Sequence, residues 1–156
     1  MIIRPATDAD ADVLWAILEP TFRAGDTYGV APDLTREQAL AYWRAPTNAV
    51  FLVDDVGTYY LRANHGGGGG HVANCGYVTA PHARGRGVAR AMCEHSLTEA
   101  RRRGFRAMQF NFVVSTNERA VRLWQALGFA IIGRIPGGFV HPTRGEVDAL
   151  IMHRAL

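Results

Sequence analysis

The sequence predicts a single α+β domain, residues 1–156, built on a mixed sheet. Strand-like and helix-like segments follow one another in the order βααβββαβαββ, with no internal repeat or linker between them. Hydrophobic residues make up 48 % of the chain and charged residues 20 %, enough apolar side chain for one sizeable core.

Met1 to Arg4 reads as a short first strand. Asp8 or Asp10 caps a helix to about Arg23, with Val13, Leu14, Ile17, Leu18 and Phe22 on one face; Pro20 should kink or shorten its last turn. Gly25–Gly29 is a loop, and Thr35-x-x-Gln38 has the form of a capping box opening a helix that ends near Trp43. Ala49–Val53 and Thr58–Leu61 flank a turn and read as a hairpin. The five glycines Gly66–Gly70 read as a flexible connector outside regular structure. Val72–Thr79 is a strand stopped by Pro81, and Gly87–Arg103 is the longest helical stretch, ended by Gly104. Ala107–Val114 is a strongly apolar strand. Asn117 then opens a short amphipathic helix closed by Gly128, and Ala130–Ile135 and Val147–His153 finish the sheet.

Charge narrows the chemistry. All 17 basic residues are arginine, which removes phosphate-loop NTPases, Schiff-base enzymes and lysine general bases. A net charge of +3 is too small to indicate nucleic acid, and no apolar run approaches a membrane span. Met1-Ile-Ile-Arg-Pro5 does not read as a secretory leader, so a cytoplasmic protein is expected. Cys75 and Cys93 match no zinc pattern, and the six histidines show no metal spacing; no metal is expected. Arg84, Arg86, Arg90, Arg101, Arg102, Arg103 and Arg106 nevertheless crowd into one stretch, which points to a local anionic ligand.

That stretch begins Tyr77-Val-Thr-Ala-Pro-His-Ala-Arg84-Gly-Arg-Gly-Val-Ala89. A strand ends at a proline, and a glycine-rich arginine loop feeds a helix. Amides at a helix start have no internal partner, and with the helix dipole they form a site suited to a pyrophosphate. Gly85 and Gly87 carry no Cβ to hold phosphates away from the backbone. The stretch lacks G-x-G-x-x-G, so it is no dinucleotide fingerprint.

Arg84, Gly87 and Ala89 occupy the positions of the acetyl-CoA-binding motif of the GNAT N-acetyltransferase superfamily, which this segment resembles. Asn117 to Phe129, with its closing Leu-Gly-Phe, resembles a second element of that family. The resemblance implies a mostly antiparallel mixed sheet splayed between its fourth and fifth strands, flanked by about four helices. It also implies direct acetyl transfer from acetyl-CoA to an amine. Pantetheine would lie in the splay like an added strand, bonded around Val78 and Thr79, with the pyrophosphate on the amides of Arg86, Gly87, Val88 and Ala89 and Asn117 near the thiol. Many members use a tyrosine acid where this chain has Trp124, and indole is too weak an acid for that role; amide hydrogen bonds and water are left to manage the thiolate. Homodimers are frequent in the family.

Gly25–Tyr28, Leu40–Trp43, Val56–Asn64, Asn74–Val78, Phe110–Asn117 and Val147–Ile151 are further similar to the yeast L-azetidine-2-carboxylate N-acetyltransferase family and its bacterial relatives. That implies a proline-analogue imino acid as acceptor. It also places Asn74 and Asn111, one on each splayed strand, at substrate and thioester. Both stand in apolar strands, where a buried amide finds either the substrate or a neighbouring strand as its partner. Tyr28 is a candidate to close the pocket or bind the substrate carboxylate; Arg62 and Arg23 are others. Asp26 and Asp148 are candidate bases, and alternation points Cys75 away from Asn74. Other amines (an antibiotic, a polyamine, a protein N-terminus) and a non-catalytic acyl-CoA-binding module are the competing readings.

Overall fold

The computed structural model describes residues 1–156. Its strands are β1 (Ile3–Pro5), β2 (Ala49–Val53), β3 (Gly57–Ala63), β4 (Val72–Thr79), β5 (Ala107–Val114), β6 (Ala130–His141) and β7 (Gly145–Ala155). They form one sheet in the order β1-β2-β3-β4-β5-β7-β6. Every neighbouring pair is antiparallel except β4–β5, which runs parallel. Four helices cover it: α1 (Ala11–Ala24), α2 (Arg36–Trp43), α3 (Val88–Arg102) and α4 (Glu118–Ala126).

The β4–β5 ladder lasts for two pairs, Val72↔Ala107 and Ala73↔Met108. Beyond it the strands part, and β4 from Asn74 to Thr79 is paired on its β3 side alone. The sheet is therefore splayed where the family resemblance implies.

Alternation along β3 and β4 builds two cores on opposite faces. Tyr59, Leu61 and Cys75 pack with Val88, Met92, Cys93 and Leu97 of α3. Tyr60 and Val78 face α1 and α2 with Leu14, Ile17, Leu18, Phe22 and Trp43. Trp43 is fully buried, and its indole N–H donates to Thr58 Oγ1 at 3.0 Å. The Thr35–Gln38 capping box is present, with Gln38 N donating to Thr35 Oγ1 at 3.2 Å and Thr35 N to Gln38 Oε1 at 3.0 Å.

Several local expectations are revised. Pro20 does not shorten α1, which runs on to Ala24 and ends at left-handed Gly25. Asp10 caps no helix with its side chain; it accepts from Thr7 N and the Arg4 guanidinium, fixing a 3-10 turn before α1. The glycine run is not wholly irregular, because Gly67–Gly69 form one 3-10 turn closed by Gly69 N to Gly66 O and Gly70 N to Gly67 O. β6 continues past Pro136 to His141 as a sheet edge, where a missing N–H is tolerated, with its register slipping between Ile135 and Phe139.

On α3, Glu99 accepts from Arg102 and Arg103 at 2.7 Å each, and these bonds hold its carboxyl down to about 2. The unfolded chain protonates the same group near ~4.3. A depressed folded-state value stabilises fully above the unfolded one and is lost as pH falls through the folded one. The melting temperature of Glu99→Gln should therefore lie below that of the wild type at pH 6, with the gap closing between about pH 4.3 and 2. A gap constant across that window would show that Glu99 acts through packing alone.

Candidate active site

The parting strands open a cleft of about 890 Å³ running from the start of α3 to the loop after α1. At one end lies the loop between β4 and α3. Gly85 and Gly87 both take left-handed φ, +82° and +80°, which L side chains rarely adopt. The first helical bond of α3 runs from Ala91 N to Gly87 O at 3.0 Å, so the N–H groups of Val88, Ala89 and Arg90 have no acceptor in the protein. The Arg119 guanidinium lies over the same loop, with Nη2 3.3 Å from where a Cβ on Gly85 would stand. Arg84 lines the cleft and has no carboxylate partner within 4 Å, whereas Arg90 pairs with Glu94 at 3.6 Å. Free amides, absent Cβ atoms and unpaired guanidiniums together make an anion cradle.

Along the opened edge of β4, Val78 and Thr79 line the cleft, and so does Trp124, its ring tilted against Tyr77 at 5.0 Å and edge-on to Phe110 at 5.3 Å. Asn117 sits at the N-cap of α4 but makes no capping bond, which leaves its amide free at the cleft wall. The Tyr77 hydroxyl is tied to Ser96 Oγ at 2.8 Å on the α3 side, and burial raises its pKa.

At the far end, Asn74 is buried and its Nδ2 donates to Gln109 O at 2.9 Å, bridging the seam immediately beyond the last ladder pair. Asn111 differs from its expected setting. Four residues of β5 (Phe110 to Val113) oppose three of β7 (Leu150 to Met152), a bulge that leaves Asn111 and Phe112 exposed at the cleft rim. Asn111 Nδ2 donates to Asn64 Oδ1 at 2.6 Å, and its Oδ1 accepts from Gln109 Nε2 at 3.0 Å. Each amide nitrogen therefore keeps a second N–H without an acceptor.

Gly76 forms the floor here. A Cβ on it would come within 2.6 Å of the Tyr60 ring and 3.0 Å of Tyr28 Oη. Tyr28 Oη donates to Tyr77 O at 3.0 Å, closing one side of the opened edge, and burial pushes its pKa up. Tyr42, Tyr60 and Arg62 complete the wall.

Of the residues singled out in the sequence, Tyr28, Asn74, Val78, Thr79, Arg84, Gly85, Gly87, Val88, Ala89, Asn111 and Asn117 all line this one cleft. Arg86 does not: its side chain is exposed outside it and its N–H donates to Ala83 O at 3.4 Å. Arg23 bonds to Pro32 O and pairs with Glu19. Asp148 also lies elsewhere, held by Arg134 at 2.7 Å and Gly137 N at 3.0 Å. Cys75 belongs to the α3-side core, where burial pushes its thiol up to about 12 and keeps it neutral. Arg119, Tyr42 and Tyr60 also line the cleft; each falls within a stretch that carries the family resemblance, but nothing in the sequence singles it out as a site residue. No three His, Cys, Asp or Glu residues gather to hold a metal, and no helix is long and apolar enough to cross a membrane.

A sheet opened along one seam, with an anion cradle at one end and the amides of Asn74 and Asn111 at the other, is the architecture of an acetyltransferase-type fold. The chain belongs to the acetyltransferase (GNAT) family, whose model matches residues 12–129. A GCN5-related N-acetyltransferase from Kribbella flavida is 43 % identical and superposes with a TM-score of 0.93 over 99 % of this chain and 97 % of that one. A phosphinothricin acetyltransferase from Sinorhizobium meliloti, solved in complex with AcCoA, shares the fold at 22 % identity and a TM-score of 0.82, covering 99 % of this chain and 88 % of that one. N-acetyltransferase aca1 of Schizosaccharomyces pombe is 35 % identical over 97 residues, 62 % of this chain. The matched stretch spans about half (46 %) of that protein's length.

Proposed function

We propose that the protein transfers the acetyl group of acetyl-CoA directly to the nitrogen of a small amino or imino acid, a proline analogue such as azetidine-2-carboxylate being the foremost candidate. The unpaired β4–β5 seam ending at the free amides of α3 carries this reading. It offers an extended arm a strand edge to bond to and its phosphates a helix start to rest on. The likeness to the aca1 acetyltransferase supports it.

Bound acetyl-CoA would supply a thioester carbonyl for the acceptor nitrogen to attack, a C–N bond forming as the C–S bond breaks. Val88 and Ala89 amides with Arg84 and Arg119 would hold the pyrophosphate, Val78 and Thr79 the arm, and the uncommitted Asn117 amide the end near sulfur. The spare N–H groups of Asn74 and Asn111 would donate to the carbonyl oxygen as charge develops on it. Tyr77 is committed to Ser96 and Tyr28 to a backbone carbonyl, while Trp124 cannot give up a proton, so water protonates the departing thiolate. Asp26 is the one carboxylate lining the cleft and receives the amine's proton through water.

A thiol-release assay with acetyl-CoA tests this, comparing azetidine-2-carboxylate, hydroxyproline and proline with a panel of primary amines. Release with the cyclic imino acids is the expected result. Release with other amines alone sinks the acceptor assignment and keeps acetyl transfer; acetyl-CoA binding without release to any of them returns the non-catalytic reading.

A further inference from the structure

We propose that Arg62 is the carboxylate anchor of the acceptor site, making the protein selective for acceptors that carry an acid group beside the amine. This rests on the acetyltransferase reading above and assigns one residue to its substrate end.

Arginines 62, 84, 90 and 119 line the cleft against the single carboxylate of Asp26. That imbalance repels polycations and attracts anions. Arg84 and Arg119 belong to the phosphate end, and Arg90 is paired with Glu94. Arg62 stands apart. It lies on β3 directly across from Asn74, the residue at which β4 and β5 begin to part. Asn74 and Thr79 are five strand positions apart, about 17 Å, so Arg62 is remote from the phosphate cradle. It sits instead beside the amides that would face the thioester.

Its own bonding is incomplete. Arg62 Nε is buried and has no hydrogen-bond partner, and no carboxylate lies within 4 Å of its guanidinium. A buried donor left unmet costs about 1–3 kcal/mol, and arginine presents a planar fork matched to a carboxylate. The guanidinium carbon lies 5.7 Å from the centre of the Tyr60 ring, a contact that holds the fork against the wall of the acceptor pocket. In an α-amino or α-imino acid the carboxylate is two bonds from the nitrogen. A group that holds it must therefore stand next to the point of transfer, as Arg62 does.

The test compares acids with their own carboxamides: azetidine-2-carboxylate, proline and alanine, each against its amide, with acetyl-CoA and release of CoA thiol as the readout. The wild type should favour the acids. In Arg62→Gln the acid-to-amide ratio of kcat/KM should fall about 10- to 100-fold, the size of a lost charge-assisted pair. Arg62→Lys should recover part of that ratio, since it restores charge without the fork. Circular dichroism and acetyl-CoA affinity report separately whether each variant is folded. A wild type that uses amides as well as acids overturns the anchor while acetyl transfer stands; so does an Arg62→Gln variant, folded and binding acetyl-CoA, whose ratio is unchanged. Absence of thiol release from the wild type with every acceptor overturns the acetyltransferase reading and the anchor with it.

Discussion

Replacing Gly87 with valine should raise the Kd for acetyl-CoA about 100-fold or more, because two separate requirements fail together. Gly87 holds a φ of +80° at the N-cap of α3, a conformation costly to a β-branched residue. The same Cβ and its methyls would cover the open amides of Val88 and Ala89. Each charge-assisted bond lost there is worth about 1.5–3 kcal/mol, so losing two accounts for the effect. Gly87→Ala separates the causes, since it keeps most of the backbone strain with less obstruction. Isothermal titration with acetyl-CoA reads both. Unchanged affinity in Gly87→Val would remove the cofactor site from this loop.

Asn111→Ala should act on a different quantity. Asn111 is held at the rim by Asn64 and Gln109, and one amide hydrogen remains for an incoming oxygen. Removing one such donor from a developing oxyanion costs about 100- to 1,000-fold in rate. We expect kcat to fall by about that factor while acetyl-CoA affinity stays within about two-fold. A change confined to acetyl-CoA affinity would assign Asn111 to cofactor binding and take it out of the chemistry.

The parts of this architecture legible in the sequence are those written in local punctuation. Pro81 ending a strand, two glycines and an N-terminal helix start lie within a dozen residues, and each constrains the backbone by itself. The parts that stayed hidden depend on distant partners. The bulge that carries Asn111 to the rim is set by the register of β5 against β7, nearly forty residues later, so an asparagine between two phenylalanines reads as buried when it is exposed. Arg119 reaches the phosphate loop because α4 folds back over Gly85, and Arg62 gains its meaning from Asn74 across the sheet. Pro136 reads as a strand terminator until one knows that β6 is a sheet edge. Trp124 was legible as a missing acid, and the structure adds that the hydroxyl of nearby Tyr77 is turned away from its place and tied to Ser96.

The seam between β4 and β5 is also a joint in the mechanical sense. The ladder between the four strands β1–β4 and the three strands β5, β7 and β6 stops after two residue pairs, followed by side-chain bridges from Asn74 to Gln109 O and from Asn111 to Asn64. Of the two cores, only the one beneath α3 spans both halves. A molecule lying along that joint would act as a strut, restoring the cross-linking that the chain itself omits. Local opening is easiest where backbone bonds are fewest, and a ligand that binds the folded form stabilises it in proportion to the logarithm of its concentration. On the proposed reading, the place where this fold is least braced is also where acetyl-CoA would lie, so that one and the same guest would supply rigidity and reactivity.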